Sequence, residues 1–472
     1  TEEYSITKLR ERSETREQED RDEDLWEGLK ATFRMVGKGV TDKDAGLRTP
    51  GYNGGLFDNQ KLEYILDSAC TNSELLSAID DLTHIEQKGF RQRISYADLG
   101  VEEIGAVYES LLEFTPQTAE TTLNIDGQTI SPGEFYLDSR GMNRKETGSF
   151  YTDPGLIQKL IQSSLEPVTD RRLDEADDDA ESQEEALLNI SVCDPACGSG
   201  AFLIAANNYL AKRLAEIRSE SAYPSERTVR RAKRSVVQHC LYGVDKNPMA
   251  VELAKVSLWI NSAVESKPLS FLDHRIKEGN SLVGTSPELI SNGLPDDAFE
   301  TSKGREFHPG TEIRRLVRNE SDKIQSELTW YGGDSSQYIS LAEQLDEIDE
   351  EDIDDIHEKE RIYQELRESE SLQREKLAHD VWTAAFYWPI ENYQSKIKSS
   401  EKDEDEFLRE NEEEFPTPKT IKKIRRKLPN APDKPIEELE GLQLLRERAE
   451  RISQRESFFH WPLEFPKIFS ED

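Results

Sequence analysis

Cysteine, long apolar runs and positive charge are all scarce in this chain. Four cysteines in 472 residues are too few for a disulfide framework and indicate a reducing, cytoplasmic setting. There is no run of about 18 apolar residues, which argues against a transmembrane helix. The N-terminal stretch TEEYSITKLRERSETREQED contains no apolar core and cannot act as a signal peptide. No membrane partner is expected.

The shortage of positive charge bears on the choice of partner. Lysine and arginine number 60 against 96 acidic residues, which gives a formal net charge of −36. Nucleic-acid-binding proteins normally present cations to phosphates, so one interpretation is a protein that does not touch DNA. The other is a halophilic protein, because charges are screened within about 3 Å at 1 M salt. Acidic residues occur along the whole chain, with dense runs at 174–185 and 346–355, and this spread favours the halophilic interpretation.

Changes in composition divide the chain into four segments. Residues 1–140 place apolar side chains at helical spacing and are predicted to form a mainly helical domain. Residues 141–290 alternate short apolar strands with long helices, which is typical of a parallel α/β sheet. Residues 291–457 are rich in acidic residues and are predicted to be a helical insertion, anchored by the aromatic island at 381–389. Residues 458–472 are predicted to return to the α/β core.

The strongest chemical signal is the sequence DPACGSGAF, which begins at Asp194. An apolar strand predicted at 189–193 precedes it, and a helix is predicted from about 200 to 217. Glycines allow the backbone to approach a ligand closely, and the start of a helix offers N–H groups to an anion. A dinucleotide-binding fingerprint would need a third glycine. The pattern alone therefore leaves open any nucleotide-type cofactor, although nicotinamide is disfavoured.

A second signal follows about fifty residues later. The predicted strand Leu241–Val244 ends in Asp245, and Asn247 is predicted to cap the next helix. A carboxylate at the end of a second strand is suited to the two hydroxyls of a ribose, and Met249 is suited to the face of an adenine. Alternatively, Asp245 is an incidental acid near a helix cap. The spacing from the first signal favours the ribose role.

Four motifs together resemble the amino-methyltransferase superfamily. They are TGSFYT (147–152), DPACGSGAFL (194–203), GVDKNPMAVELAKVSLWI (243–260) and GNSL (279–282). Their order is similar to that of the gamma class, which methylates adenine N6 in DNA. The segments YNGGLF, LGVEEIGAVYESLLEF and FHWPLEFPKIF resemble the large methylases of type IIG restriction–modification systems and of BREX and DISARM phage defence. The insertion at 291–457 matches little that can be assigned to a known family.

This resemblance implies an incomplete Rossmann-like methyltransferase core that binds S-adenosyl-L-methionine and acts on double-stranded DNA. It also implies a role for each matching residue. Thr147, Tyr151 and Thr152 would hold the methionine end of the cofactor, and Asp194, Ala196, Gly198 and Gly200 would surround its methionine and sugar. Asp245 would bind the ribose, and Asn280 would accept a hydrogen bond from the adenine amine. Met249 and Leu282 would sandwich the adenine ring.

The family's catalytic motif is Asn-Pro-Pro followed by an aromatic residue, and no such sequence occurs here. Asn247-Pro248-Met249 belongs to the ribose motif, and Asn430-Ala431-Pro432 lies in the charged insertion. No catalytic residue is therefore expected among these 472 residues. The chain is expected to stop just before the catalytic strand, so that a downstream or second polypeptide supplies this motif and target recognition.

Other functions remain open from the sequence. The same core serves methyltransferases that act on RNA or on protein glutamine, and a fragment of this kind could also bind cofactor without catalysis. Cys193, Cys197, His239 and Cys240 lack the regular spacing of zinc ligands, so no metal is expected. A nucleophilic role for Cys197 lacks a neighbouring histidine and acid.

Overall fold

The computed structural model of the chain describes residues 6–15, 20–38, 40–42, 47–49, 66–87, 89–94, 115–125, 128–138, 152–265, 267–295, 298, 336–388, 415–425 and 442–469. The chain divides into two compact units. The first comprises Thr1–Gly243, Asn247–Leu272 and Glu350–Ile356, and the second comprises Val244–Lys246, Asp273–Asp349 and His357–Asp472.

The first unit begins with a small helical cluster. Its helices are α1 (Ile6–Glu14), α2 (Asp24–Lys38) and α3 (Asn72–Thr83). The apolar periodicity of α2 is confirmed, because Leu25 and Leu29 are buried against Leu9. Helix α3 starts with a capping box, in which the Thr71 side chain accepts the N–H of Glu74 and the Glu74 carboxylate accepts the N–H of Thr71.

Short antiparallel strand pairs also occur in this region, where the sequence predicts mainly helix. The pairs are β1 (Val40–Asp42) with β2 (Leu47–Thr49), β3 (His84–Gln87) with β4 (Phe90–Arg93), β5 (Thr115–Thr118) with β8 (Phe135–Asp138), and β6 (Leu123–Ile125) with β7 (Gln128–Ile130). Strands of three or four residues are too short to give a recognisable alternation of polar and apolar residues. The LGVEEIGAVYESLLEF segment (99–114), whose apolar spacing predicts a helix, and the YNGGLF segment lie outside the described residues.

An alternation of helices and strands occupies the rest of the first unit, as the sequence predicts. Its elements are α4 (Pro154–Leu160), a π-helical turn (Ile161–Leu165), α5 (Glu166–Glu175), α6 (Ala180–Leu188), β9 (Val192–Asp194), α7 (Ala201–Ser219), α8 (Glu226–His239), β10 (Leu241–Asp245) and α9 (Pro248–Ser262). Strands β9 and β10 are parallel, with Leu241 opposite Val192 and Gly243 opposite Asp194. All five residues of β10 are buried, as is typical of a strand covered on both faces.

Helix α8 contains a basic stretch, residues 227–234, whose composition predicts one solvated helix face. That prediction is wrong at Arg234, which is only 8% exposed. Its guanidinium donates to the carbonyl oxygens of Pro268, at 2.5 Å, and Glu350, at 3.0 Å. Because Glu350 lies 116 positions away in the sequence, local periodicity cannot reveal this burial.

Helices form most of the described second unit. Its elements after the end of β10 are β11 (Ile276–Glu278), α10 (Pro287–Ser291), α11 (Ser336–Glu347), the part of α12 (Ile353–Glu368) from His357 onward, α13 (Glu370–Ala384), a 3₁₀ turn (Ala385–Tyr387), α14 (Pro418–Arg425), α15 (Gln443–Glu456), α16 (Trp461–Glu464) and α17 (Pro466–Phe469). The strand order in the three-stranded sheet is β11-β10-β9. The molecule is thus a mixed, mainly helical structure with small sheets.

The aromatic island of the insertion is buried, as the sequence predicts. Val381, Trp382 and Trp388 belong to one apolar cluster with Phe415 and Leu445, which joins α13, α14 and α15. The indole N–H of Trp382 donates to the carbonyl of Gly293 at 3.0 Å. Pro389, the last residue of the island, lies outside the described residues.

No helix in the part of the chain that the structure describes is long and apolar enough to cross a membrane.

Candidate cofactor-binding site

The glycine-rich turn after β9 lies in the first unit. Asp194 ends the strand, and its Oδ1 accepts the N–H of Ala196 at 3.1 Å. Gly198 and Gly200 have φ angles of +52° and +90°, in the left-handed region that suits glycine. Gly200 is the N-cap of α7, and no side chain among the described residues caps this helix. The first N–H groups of α7 are therefore available in the way that anion-binding helix starts require.

Gly200 is also a point of close helix approach. A Cβ atom placed on it would lie 3.3 Å from the Cβ of Ala254 in α9. At Gly198, by contrast, no described atom lies within 4 Å of the corresponding position. The two glycines therefore have different uses: Gly200 lets α9 approach the start of α7, whereas Gly198 leaves open space.

A cavity of about 460 Å³ extends from this turn along α7. It lies between α4 with its π-helical turn and the first turns of α7. Pockets of roughly 300–1,000 Å³ hold small-molecule ligands. Its lining residues are Pro154, Ile157, Gln158, Ile161, Ser199, Ala201, Ile204, Ala205, Asn208, Tyr209 and Lys212.

The end of β10 carries the acid predicted to bind ribose. Gly243 is paired with Asp194, and the strand continues for two more residues to Asp245, which is 8% exposed. Asn247 caps α9 as predicted, because its side chain accepts the N–H of Met249 at 3.0 Å. Met249 follows with 54% of its surface exposed.

In the second unit, Asp245 lies beside the GNSL motif. The N–H of Gly279 donates to the backbone oxygen of Asp245 at 2.9 Å. Asn280 is the next residue in the chain after Gly279. The Asn280 Oδ1 accepts the N–H of Leu282 at 3.2 Å, and an amide oxygen retains a second lone pair for another donor. Leu282 is 92% exposed. This unit thus brings together a carboxylate, an amide acceptor and an exposed apolar side chain.

The TGSFYT motif is only partly described. Thr147 and Tyr151 lie outside the described residues. Thr152 is half-buried and is followed by Asp153, whose Oδ1 accepts the N–H of Gly155 at 2.8 Å as the N-cap of α4. Thr152 therefore lies two positions before α4, one wall of the cavity.

Residues near the chain's end also shape the site, and sequence reasoning assigned them no role. Phe459, His460 and Trp461 contact the segment that follows Asn280. One sequence signal was the FHWPLEFPKIF pattern, which marks a family resemblance and not a function. The glycines at 279 and 284 gave a second, local sign of close backbone approach.

The cysteines do not form a metal centre among the residues described. No group of three or more histidine, cysteine or acidic residues in those ranges is placed to hold a metal ion. Cys197 and Cys240 are buried, and Cys193 is exposed.

Two family models match the chain across the glycine-rich turn, the end of β10 and the GNSL motif. The DNA-methyltransferase domain of MmeI matches residues 172–274, and the Eco57I restriction-modification methylase matches residues 239–472. This chain contains restriction–modification methylase domains. The range of the second match includes residues 291–457.

Two curated relatives of this chain carry names that combine a restriction enzyme with a methyltransferase. A type II restriction enzyme and methyltransferase of Methanocaldococcus jannaschii is 24% identical over 283 residues, covering 51% of the chain and 21% of the relative. The type II restriction enzyme and methyltransferase Eco57I of Escherichia coli is 24% identical over 255 residues, covering 50% of the chain and 23% of the relative. The chain thus spans about a fifth of the length of these relatives. No solved structure matches it.

Proposed function

We propose that this chain is the S-adenosyl-L-methionine-binding part of a DNA methyltransferase that methylates adenine N6 in a restriction–modification or phage-defence system. One observation carries the proposal: two methylase family models match the residues that include the glycine-rich turn, Asp245 and Asn280. The fold we infer is a Rossmann-like methyltransferase core, supported by the parallel pairing of β9 with β10.

The residues present fit a sulfonium nucleoside. A ribose needs an acceptor for two hydroxyls, and Asp245 supplies a carboxylate. The adenine amine needs an acceptor, and Asn280 supplies an amide oxygen. A purine ring needs apolar surface, and Met249 and Leu282 are exposed at 54% and 92%. The open space at Gly198 leaves room for a ligand against the backbone.

We assign roles to this chain's residues accordingly. Asp245 binds the ribose, Asn280 accepts from the adenine amine, and Met249 and Leu282 flank the ring. The residues that hold the methionine end and the sugar are Thr147, Tyr151, Thr152, Asp194, Ala196, Gly198 and Gly200. When bound, the cofactor would supply an electrophilic methyl group on its sulfonium sulfur for the amine of an extruded adenine.

Transfer also needs residues beyond those named here, because no Asn-Pro-Pro-aromatic sequence occurs in the chain. We propose that a further polypeptide segment, downstream or in a second chain, supplies this motif and the recognition of double-stranded DNA. The chain by itself then binds cofactor without transferring methyl groups.

Calorimetry with S-adenosylmethionine tests the binding proposal. Purified chain in molar salt is expected to bind it, and Asp245→Ala to lose most of the affinity. Asp178→Ala, which removes an exposed acid in the first unit, serves as the matched control and is expected to bind normally. Absence of binding by the unaltered chain, or equal binding by Asp245→Ala, would overturn the assignment.

A second experiment tests the reaction. This chain, together with the further segment proposed to supply the catalytic motif, is incubated with labelled cofactor and with DNA, RNA or protein, and the DNA product is digested to nucleosides for mass spectrometry. N6-methyladenine is expected. N4-methylcytosine would refute the choice of base, and label in RNA or protein glutamine alone would favour the other methyltransferase classes.

The acidic composition supports a salt-adapted host cell. With a net charge of −36, the surface repels itself at low ionic strength and is screened at high ionic strength. We propose that the protein works in molar salt, where contacts with DNA depend less on long-range attraction.

A further inference from the structure

The loop that carries Asn280 is shaped by a segment near the end of the chain. Residues 279–285 form this adenine loop, and residues 457–461 form what we call the clamp segment; both belong to the second unit. The N–H of Asn280 donates to the oxygen of Ser457 at 2.6 Å, and the N–H of Phe459 donates to the oxygen of Val283 at 2.8 Å. Hydrogen bonds therefore join the two segments at both ends of the GNSL motif.

Phe459 is wedged against both glycines of the adenine loop. It is 1% exposed. A Cβ atom on Gly279 would overlap its ring, and a Cβ atom on Gly284 would overlap its backbone oxygen. The two glycines are thus needed because the clamp segment lies directly against the loop backbone.

His460 makes the next contact and connects the loop to the insertion. Its Nδ1 accepts the N–H of Thr285 at 3.1 Å, and its Nε2 lies 3.0 Å from the Oδ1 of Asp380. Since Nδ1 is the acceptor, the ring proton is on Nε2 and is donated to the carboxylate. His460 and Asp380 are both 2% exposed, so neither group is easily replaced by water.

Asp380 is held in place by two further donors. The hydroxyl of Ser453 donates to its Oδ1 at 2.8 Å, and the ammonium of Lys376 donates to its Oδ2 at 2.6 Å. Burial raises the pKa of Asp380, but the hydrogen bond from His460 and the charge of Lys376 outweigh it and hold that pKa below its usual value. Asp380 is therefore a fixed anion that orients the imidazole.

We propose that His460, oriented by Asp380 of the inserted helix α13, is a positioning residue that fixes the adenine loop so that Asn280 meets the cofactor's amine. The inference rests on the proposed function, since it assumes that this loop binds adenine. It gives the acidic insertion a role: α13 supplies the anion that holds the histidine under the loop.

Two substitutions of His460 separate its two hydrogen bonds. His460→Gln places an amide nitrogen near the position of Nε2, so it keeps the donor to Asp380 and loses the acceptor for Thr285. His460→Asn places an amide oxygen near the position of Nδ1, so it keeps that acceptor and loses the donor. His460→Gln leaves the N–H of Thr285 without this acceptor, and His460→Asn removes one of three donors to Asp380, so both variants are expected to lose stability. Ser453→Ala is a further control, because it removes a hydrogen bond to Asp380 without touching the loop.

The readout is the preference for S-adenosylhomocysteine over S-inosylhomocysteine, which carries an oxo group where adenine has its amine. A lost hydrogen bond is expected to reduce this preference by about 5-fold in His460→Gln. His460→Asn and Ser453→Ala are expected to keep most of it. An equal loss in both His460 variants, or no loss in either, would show that His460 serves stability alone.

Hydrogen exchange of the loop amides gives a second readout that needs no cofactor. Faster exchange at Thr285 is expected in His460→Gln and not in Ser453→Ala. If the unaltered chain binds neither nucleoside, the proposed function fails whatever the exchange shows. If it binds both ligands but exchange and preference are the same in all variants, only the role of His460 is refuted.

Discussion

Gly200 and Ala254 meet where α7 starts: a Cβ atom on the glycine would stand 3.3 Å from that of the alanine. The contact is made while Gly200 has a φ of +90° as the N-cap of α7. Conformation and space therefore both require glycine at one position of the candidate site.

Gly200→Ala is expected to destabilise the protein by more than the strain alone, which is about 1–2 kcal/mol for an alanine in the left-handed region. Gly133→Ala provides the matched control, because Gly133 has a φ of +88° but no described atom within 4 Å of its Cβ position. Chemical denaturation of both variants measures the difference. Equal losses would show that α9 moves aside at no cost.

The packing of Phe459 against Gly279 and Gly284 predicts different coupling energies between Phe459 and each of these two glycines. Gly279→Ala overlaps the ring, so adding Phe459→Ala relieves it, and the double variant is expected to be more stable than additivity predicts by about 1 kcal/mol or more. Gly284→Ala overlaps the backbone oxygen, which Phe459→Ala leaves in place. The losses of stability caused by Gly284→Ala and Phe459→Ala are therefore expected to add. Double-mutant cycles measured by denaturation test this contrast, and similar coupling at both glycines would contradict it.

The buried guanidinium of Arg234 predicts a strong local effect. Arg234→Met removes hydrogen bonds to Pro268 and Glu350 and leaves the Glu350 carboxylate, 3.5 Å from the guanidinium, without its charge partner. A loss of about 3 kcal/mol is expected in unfolding free energy. Arg231→Met, three positions earlier on the exposed face, changes the net charge equally and is expected to cost less than about 0.5 kcal/mol.

Parts of this structure were predictable because their causes are local. The ends of β9 and β10, the start of α7 and the Asn247 cap follow from apolar runs, glycines and an Asn-Pro pair within a few residues. Arg234 was misjudged because its partner is distant in sequence. The contacts of His460 were missed for the same reason, since Thr285 lies 175 positions away.

The acid sensitivity of the second unit is expected to depend on His274. Burial, opposed by the neighbouring Asp346 carboxylate and assisted by the charge of Arg275, lowers the pKa of His274 to about 4 from an ordinary value near 6.5. As the pH falls, His274 is protonated in the unfolded chain before it is protonated in the folded chain. The free energy of unfolding therefore falls as the pH drops from about 6.5 towards 4. Between pH 7 and 5 this histidine is expected to contribute about 2 kcal/mol of the loss.

Unfolding measured at pH 7 and pH 5 checks this slope. His274→Asn is expected to lose less stability between the two values than the unaltered protein. His357→Asn alters an exposed histidine and is expected to leave the slope unchanged. A slope that is the same in all three proteins would show that other groups set the acid limit.

Salt dependence follows from the acidic surface. The melting temperature is expected to rise between 0.1 M and 2 M KCl, roughly the range over which screening shortens from about 10 Å towards 3 Å. A double variant, Asp177→Asn with Asp178→Asn, removes two exposed charges from one acidic run. It is expected to reach a given melting temperature at a lower salt concentration. A melting temperature that falls with salt would contradict a salt-adapted surface.

The wedge between Phe459 and the two glycines has an evolutionary consequence. A larger residue at 279 is tolerable only if Phe459 is replaced by a smaller residue in the same lineage. A larger residue at 284 cannot be compensated in this way, because it would overlap the backbone oxygen of residue 459, which every amino acid has. Among homologous methylases, positions 279 and 459 should thus vary together, while 284 should remain glycine wherever the clamp segment is retained.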